Sequence, residues 1–135
     1  MTDRDDRQDI CDLLVRYATG IDRRDWSLFR TVFTDPCELD YGEIGTWDTP
    51  DAVTESMQRF HAAGQTLHRM SNHVIALDGD RATARTYVDM IIVSDSKSGV
   101  NAVGYYDDEI VRTDDGWRIA RRRFTPVRLT SFSDA

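Results

Sequence analysis

The sequence predicts an α+β fold: a cone-shaped, curved antiparallel sheet with N-terminal helices packed across it. Three observations predict it. Apolar residues in the first part of the chain recur at three- and four-residue steps, as one face of a helix does. From about residue 66 the period changes to two, the signature of strands. The four strands that follow are separated by short polar turns, which suit consecutive antiparallel hairpins. Helices first and strands afterwards segregate the helices to one face of the sheet, and a curved sheet with helices across its mouth holds a pocket.

The elements follow in order. Ile10, Leu13, Leu14, Tyr17 and Ile21 form one stripe of a helix from about Asp5 to Ile21. Asp25 can cap a second short helix whose apolar face is Trp26, Phe29, Val32 and Phe33, ending before Asp35-Pro36. Cys37 to Tyr41 alternates as a short strand, broken by Gly42 and Gly45. Thr49-Pro50-Asp51 starts a third helix, with threonine as cap and proline where its missing N–H costs nothing. Val53, Met57 and Phe60 share a face of it, and Gly64 is its stop. Strands then run over about 66–77, 82–93, 101–112 and 117–125, punctuated by Asp78-Gly79-Asp80, by Asp95 to Gly99 and by Thr113 to Gly116.

Length and charge bound the function. At 135 residues the chain is expected to be one domain, 1–135. Seventeen Lys and Arg against 24 Asp and Glu give a net charge of −7, which argues against a nucleic-acid groove. Arg118, Arg121, Arg122 and Arg123 form a local basic run, read as a solvated or salt-bridged strand facing Asp107-Asp108-Glu109. No apolar run approaches a membrane span and the start of the chain is charged, so no membrane partner and a cytoplasmic location are expected. Cys11 and Cys37 lack metal or redox spacing and read as small buried or partly buried side chains.

The candidate chemistry gathers on the strand from Thr66 to Leu77. Strict alternation puts His68 on one face with Met70, Asn72, Val74 and Ala76, and His73 on the other. One ion cannot be reached from two faces, so no metal site is expected there, and His73 falls to a surface or subunit-contact role. Asp22 follows the first helix. A carboxylate on one imidazole nitrogen fixes the tautomer and leaves the other nitrogen as proton acceptor. The competing readings are a solvated turn aspartate and a hydrogen-bonded core histidine. Asn72 is read equally as a ligand contact or a backbone partner, and His61 as a helix-end dipole partner or plain surface. Tyr17, Trp26, Phe29, Met57 and Phe60 are core residues that in a cone also form the pocket wall. Arg85, Tyr87, Asp89, Ile91, Val93 and Tyr105 give the outer sheet face a mixture suited to an oligomer contact.

Gly20 to Trp26, Asp40-Tyr41, Leu67 to Asn72 and Gly116 to Ile119 together resemble the SnoaL-like group of the nuclear transport factor 2-like superfamily, whose sheet is a cystatin-like α+β barrel. The enzyme patterns it most resembles are those of scytalone dehydratase and hexachlorocyclohexane dehydrochlorinase. The resemblance implies a deep pocket with an Asp-His dyad as base, falling on Asp22 and His68, and no cofactor. It places a carbonyl-polarising or water-holding tyrosine at Tyr41 and a polar pocket residue at Tyr106 or Asp107. It also implies a homo-oligomer, dimer or trimer. Two positions depart from the dehydratase: about Ile92 stands where it has a second pocket histidine, and Ile21 where it has a second tyrosine.

The expected function is a cofactor-independent lyase or isomerase, dehydratase-like, acting on a small apolar cyclic or carbonyl-bearing molecule. His68 is the base, Asp22 orients it, and Tyr41 with Tyr106 or Asn72 stabilises negative charge. Val88 and Met90 join the apolar wall. The alternative is a non-catalytic ligand-binding or structural domain of the same fold. A third reading uses Glu38 or Asp40 as a carboxylate base.

Overall fold

The computed structural model describes residues 2–62 and 64–133. Helix α1 spans Asp3–Asp22 and opens with a capping box: Thr2 Oγ1 accepts the Asp5 N–H, and the Asp5 carboxylate accepts the Thr2 N–H. All five residues of the expected stripe are buried. The helix stops in a Schellman turn. Arg24 takes a left-handed φ of 56°, its N–H bonds Ile21 O at 2.9 Å, and the Asp25 N–H bonds Gly20 O at 2.9 Å. That stop makes Asp22 the last helical residue.

Asp25 caps helix α2, Trp26–Arg30, by accepting the Leu28 N–H. The helix is shorter than expected, and Phe33 already belongs to strand β1, Phe33–Asp40. Pro36 does not break that strand because the β1–β6 register shifts between Phe33 and Glu38. A 3-10 turn, Gly42–Ile44, leads to the two-residue strand β2, Thr46–Trp47. Helix α3 is Pro50–Phe60, capped by Thr49 and followed by His61 at its C-cap. Strands β3 (Gln65–Asp78), β4 (Arg81–Val93), β5 (Ser98–Thr113) and β6 (Gly116–Ser133) complete the chain.

The sheet order is β2-β1-β6-β5-β4-β3. β3 to β6 pair antiparallel as the hairpins require, whereas β1 runs parallel to β6 and makes the curved sheet mixed. β1 is reached from α2 and left toward β2, so no hairpin dictates its direction against β6. The sheet stays open, with β2 and β3 as edges. Helix α1 packs on β3 and β6, with α2 against α1 and α3 against α2 and β1. The crossing of α1 and α2 is tight at Gly20, where a Cβ would lie 2.9 Å from the Phe29 Cα. Among the described residues no helix is long and apolar enough to cross a membrane.

Three strand details depart from the sequence reading. β3 carries a bulge between Ser71 and Val74, with Asn72 at φ 55°. An added residue shifts the alternation by one, so every side chain beyond it changes face. Val74 and Ala76 are therefore exposed, while Ile75 and Leu77 pack against the core. β6 runs to Ser133, past the expected end near 125, because Pro126 sits at a register shift opposite Gly104. The basic run is not uniformly solvated either. Arg121 pairs with Glu38 at the surface, but the Arg122 and Asp108 side chains are each 0% exposed and joined by two hydrogen bonds of 2.7 and 2.9 Å.

Candidate active site

The stop of α1 and the start of β3 bring Asp22 to His68. The Asp22 carboxylate accepts the His68 backbone N–H at 2.8 Å and bonds the ring Nδ1 at 2.7 Å, and the Thr66 hydroxyl donates to it at 3.1 Å. Arg24 holds the junction by donating to Ile21 O, Thr66 Oγ1 and Gly64 O. Burial alone would raise the Asp22 pKa, but the hydrogen bonds from the His68 ring and backbone outweigh it, and the group lies below the ordinary carboxylate range. An ionised carboxylate on Nδ1 fixes a proton there, so the tautomer of the neutral imidazole that suits this contact has its lone pair on Nε2.

His68 lines a cavity of about 350 Å³. That volume lies near the lower end for small-molecule sites, roughly 300–1,000 Å³. Its wall is apolar: Met57 and Phe60 from α3, Val88, Met90 and Ile92 from β4, Val100 and Ala102 from β5, and Phe124 and Leu129 from β6. Tyr17, Tyr41 and Tyr106 add hydroxyls to the lining, with the Tyr17 ring edge-on to His68 at 6.1 Å. The hydroxyls of Tyr17 and Tyr41 lie 2.9 Å apart, and the Tyr106 hydroxyl donates to Tyr17 at 3.5 Å. Burial pushes all three phenols up, so they stay protonated hydrogen donors through the neutral range.

Arg122 supports these rings from beneath. Its guanidinium carbon lies 3.8 Å from the Tyr106 ring centre and 4.4 Å from that of Tyr17. Burial would strip its proton, but the Asp108 carboxylate keeps it charged, with its pKa above the ordinary value. A fixed positive charge next to three phenols favours any negative charge forming on their hydrogen-bond partner.

Several expectations require correction. Asn72 does not share the His68 face; it is exposed at the bulge, its left-handed backbone being the turn itself. His73 does not point outward, because the same bulge turns it inward to bond the buried Thr86 hydroxyl at 3.2 Å. The opposite-face argument about the two histidines therefore loses its premise. Trp26 and Phe29 do not line the cavity. They meet edge to face at 5.6 Å, and Phe29 packs behind the wall on Tyr17 and Phe33. Tyr106, not Asp107, faces the cavity, since Asp107 is bound by Arg85 outside. Glu38 and Asp40 are exposed and lie with Arg85, Asp107 and Arg121 in a separate charged outer groove of about 1060 Å³. The carboxylate-base reading thus has no group in the apolar cavity.

His61 is a helix-end partner as expected, its Nδ1 2.8 Å from Met57 O at the end of α3, but it is not a surface residue. It is 4% exposed, lines the cavity, and its ring centre lies 5.9 Å from that of His68. The signal was present: Val53, Met57 and His61 recur every four residues on the apolar stripe of α3.

The sequence pattern of the SnoaL-like domain matches residues 2–123. The chain belongs to the SnoaL-like domain family. An uncharacterized protein of Mycobacterium tuberculosis is 34% identical over 121 residues, 87% of this chain and 82% of that protein. A solved protein from Kribbella flavida is 29% identical with a TM-score of 0.87, covering 96% of this chain and 95% of its own. Two solved structures with enzyme names share the fold. A hexachlorocyclohexane dehydrochlorinase has 18% identity and a TM-score of 0.85, over 96% of this chain and 90% of its own. A candidate scytalone dehydratase from Novosphingobium aromaticivorans has 20% identity and a TM-score of 0.85, over 96% and 89%.

Proposed function

We propose that this SnoaL-like protein is a cofactor-independent lyase or isomerase of the dehydratase type, acting on a small, largely apolar cyclic molecule that carries a carbonyl. The observation that carries the proposal is the 2.7 Å contact between His68 Nδ1 and Asp22 on the wall of an apolar cavity that also holds three linked phenols. A ligand-binding or structural role would need neither an oriented imidazole nor a donor array in the same cavity.

His68 Nε2 takes a proton from the carbon next to the carbonyl, and the C–H electron pair moves into an enolate. Asp22 stabilises the imidazolium so formed. Tyr41 donates to the enolate oxygen, and Tyr106 and Tyr17 donate along the chain of phenols toward it, with the Arg122 charge behind them. In a lyase the enolate expels a leaving group from the neighbouring carbon, the imidazolium gives its proton to that group, and a double bond forms; in an isomerase the imidazolium returns the proton to another carbon. The hydrocarbon wall excludes water, which strengthens each of these interactions.

The test is a panel of small cyclic hydroxyketones and unsaturated ketones followed by ultraviolet absorbance. Wild type converts a member of the panel, and His68→Ala slows that conversion by at least ~100-fold. Equal rates in the two proteins would refute the assignment. We also propose a homo-oligomer, dimer or trimer, in which the outer face carrying Val74, Tyr87 and Val103, 68%, 49% and 37% exposed, is the contact. Light scattering that gives a monomer mass at micromolar concentration would overturn this.

A further inference from the structure

The second imidazole of the cavity has no place in the proton transfer described above. His61 is the C-cap of α3, and its Nδ1 lies 2.8 Å from Met57 O. A carbonyl can only accept, so Nδ1 carries the proton and Nε2 the lone pair. Among the described residues that Nε2 is buried with no hydrogen-bond partner. A buried acceptor left unpaired is unfavourable, so a cavity residue of this kind is poised for a donor that arrives with the ligand. Burial, with the nearby His68 and Arg24, brings its pKa down to about 4 although the Met57 carbonyl and Asp22 act the other way. His61 is thus neutral, and an acceptor, throughout the neutral range. The rest of the cavity wall is hydrocarbon apart from the phenols and His68.

We propose that His61 is the specificity-determining residue of the cavity, accepting a hydrogen bond from a hydroxyl of the substrate and so selecting hydroxylated rings over their hydrocarbon isosteres. This rests on the cavity being the substrate site. It narrows the substrate class to a cyclic carbonyl compound with a hydroxyl group, held at His61 while His68 meets the C–H bond. The fixed Nδ1–H to Met57 O bond leaves His61 one role at neutral pH, since it cannot donate from Nε2 without becoming charged.

The experiment uses an isosteric pair, 2-naphthol and 2-methylnaphthalene, titrated into wild type and His61→Phe and followed by NMR. Wild type should bind the naphthol about tenfold more tightly, and in His61→Phe the two affinities should come within about twofold of each other. The wild-type protein supplies a second readout that needs no variant. The His61 Nε2 nitrogen resonance should move upfield with 2-naphthol and stay in place with 2-methylnaphthalene. A tenfold preference that survives in His61→Phe, or a His61 Nε2 resonance that ignores saturating naphthol, overturns the proposal and leaves the cavity and dyad reading standing. If neither probe binds wild type, the cavity itself is not a site for small rings, and both proposals fall.

Discussion

Replacing Asp22 by asparagine isolates what the carboxylate does for the imidazole. Asp22 accepts three hydrogen bonds, from the Thr66 hydroxyl, the His68 N–H and the His68 ring. Asparagine has a single acceptor oxygen and an NH₂ donor of nearly the same shape. If its oxygen keeps the His68 backbone N–H, its nitrogen faces Nδ1 and favours the tautomer with the proton on Nε2. The nitrogen that should take the substrate proton is then already occupied. A positioned general base contributes ~10²–10⁴-fold, and the equivalent exchange in a serine-protease triad costs ~10⁴. The expected loss in kcat is therefore about 10³ to 10⁴, or ~4–5 kcal/mol of barrier. KM should move less than ~3-fold, because Asp22 does not line the cavity. Steady-state kinetics on a substrate found in the panel measure both. A kcat within tenfold of wild type, or a loss confined to KM, would refute the orienting role. Stability gives an independent reading. The folded Asp22 pKa lies below the unfolded value, so its contribution is complete above about pH 4 and is lost as pH falls through the folded value. The urea midpoint of wild type should exceed that of Asp22→Asn at pH 7, and the gap should close in acid.

The remaining predictions concern the donor array and the packing beneath it. Tyr41→Phe removes one phenol hydrogen donor without changing ring packing against Trp47 and Phe124, and should lower kcat by ~10- to 100-fold with little change in melting temperature. Arg122→Met leaves the Asp108 carboxylate buried without its counter-charge and should destabilise the fold by ~3–5 kcal/mol in urea titration. The double change Arg122→Met with Asp108→Leu should recover most of that stability, though not the activity, since the charge behind the phenols is gone. Gly20→Ala puts a methyl group against the Phe29 backbone and should cost ~1–3 kcal/mol, read as a lowered urea midpoint with an unchanged slope.

The fold was legible because its signals are local. The α1 stripe, the Asp25 and Thr49 caps and the polar turns between strands each act within a few residues. Asp22 and His68 were legible for the same reason: one lies at a helix stop and the other near the start of a strand, before any irregularity has disturbed its alternation. Beyond Ser71 the alternation misleads. The bulge at Asn72 exchanges the faces of every later residue in β3, and Asn and His at those positions look the same in a regular strand. Leu129 was hidden for a related reason, since Pro126 reads as the end of β6 unless a bulge is known to receive it. Trp26 and Phe29 were placed in the wall because helix order does not say which rings reach the cavity and which pack behind it. The burial of His61 and of Arg122 was missed although their phase was readable. His61 continues the Val53 and Met57 stripe, and Arg122 alternates in step with Phe124. Polar residue type was given more weight than position, and burial of a charge depends on a partner, here Asp108, that only the β5–β6 register supplies.

The central claim is that His68 removes a proton from carbon inside the apolar cavity. Solvent-deuterium exchange tests it without knowledge of the natural substrate. A cyclic ketone with acidic α-hydrogens, 2-tetralone, is incubated with protein in D₂O and its α-hydrogen signals are followed by NMR. Wild type is expected to accelerate exchange above buffer, and His68→Ala, with its cavity otherwise intact, to do so at least ~100-fold less. Equal exchange in the two proteins would contradict it.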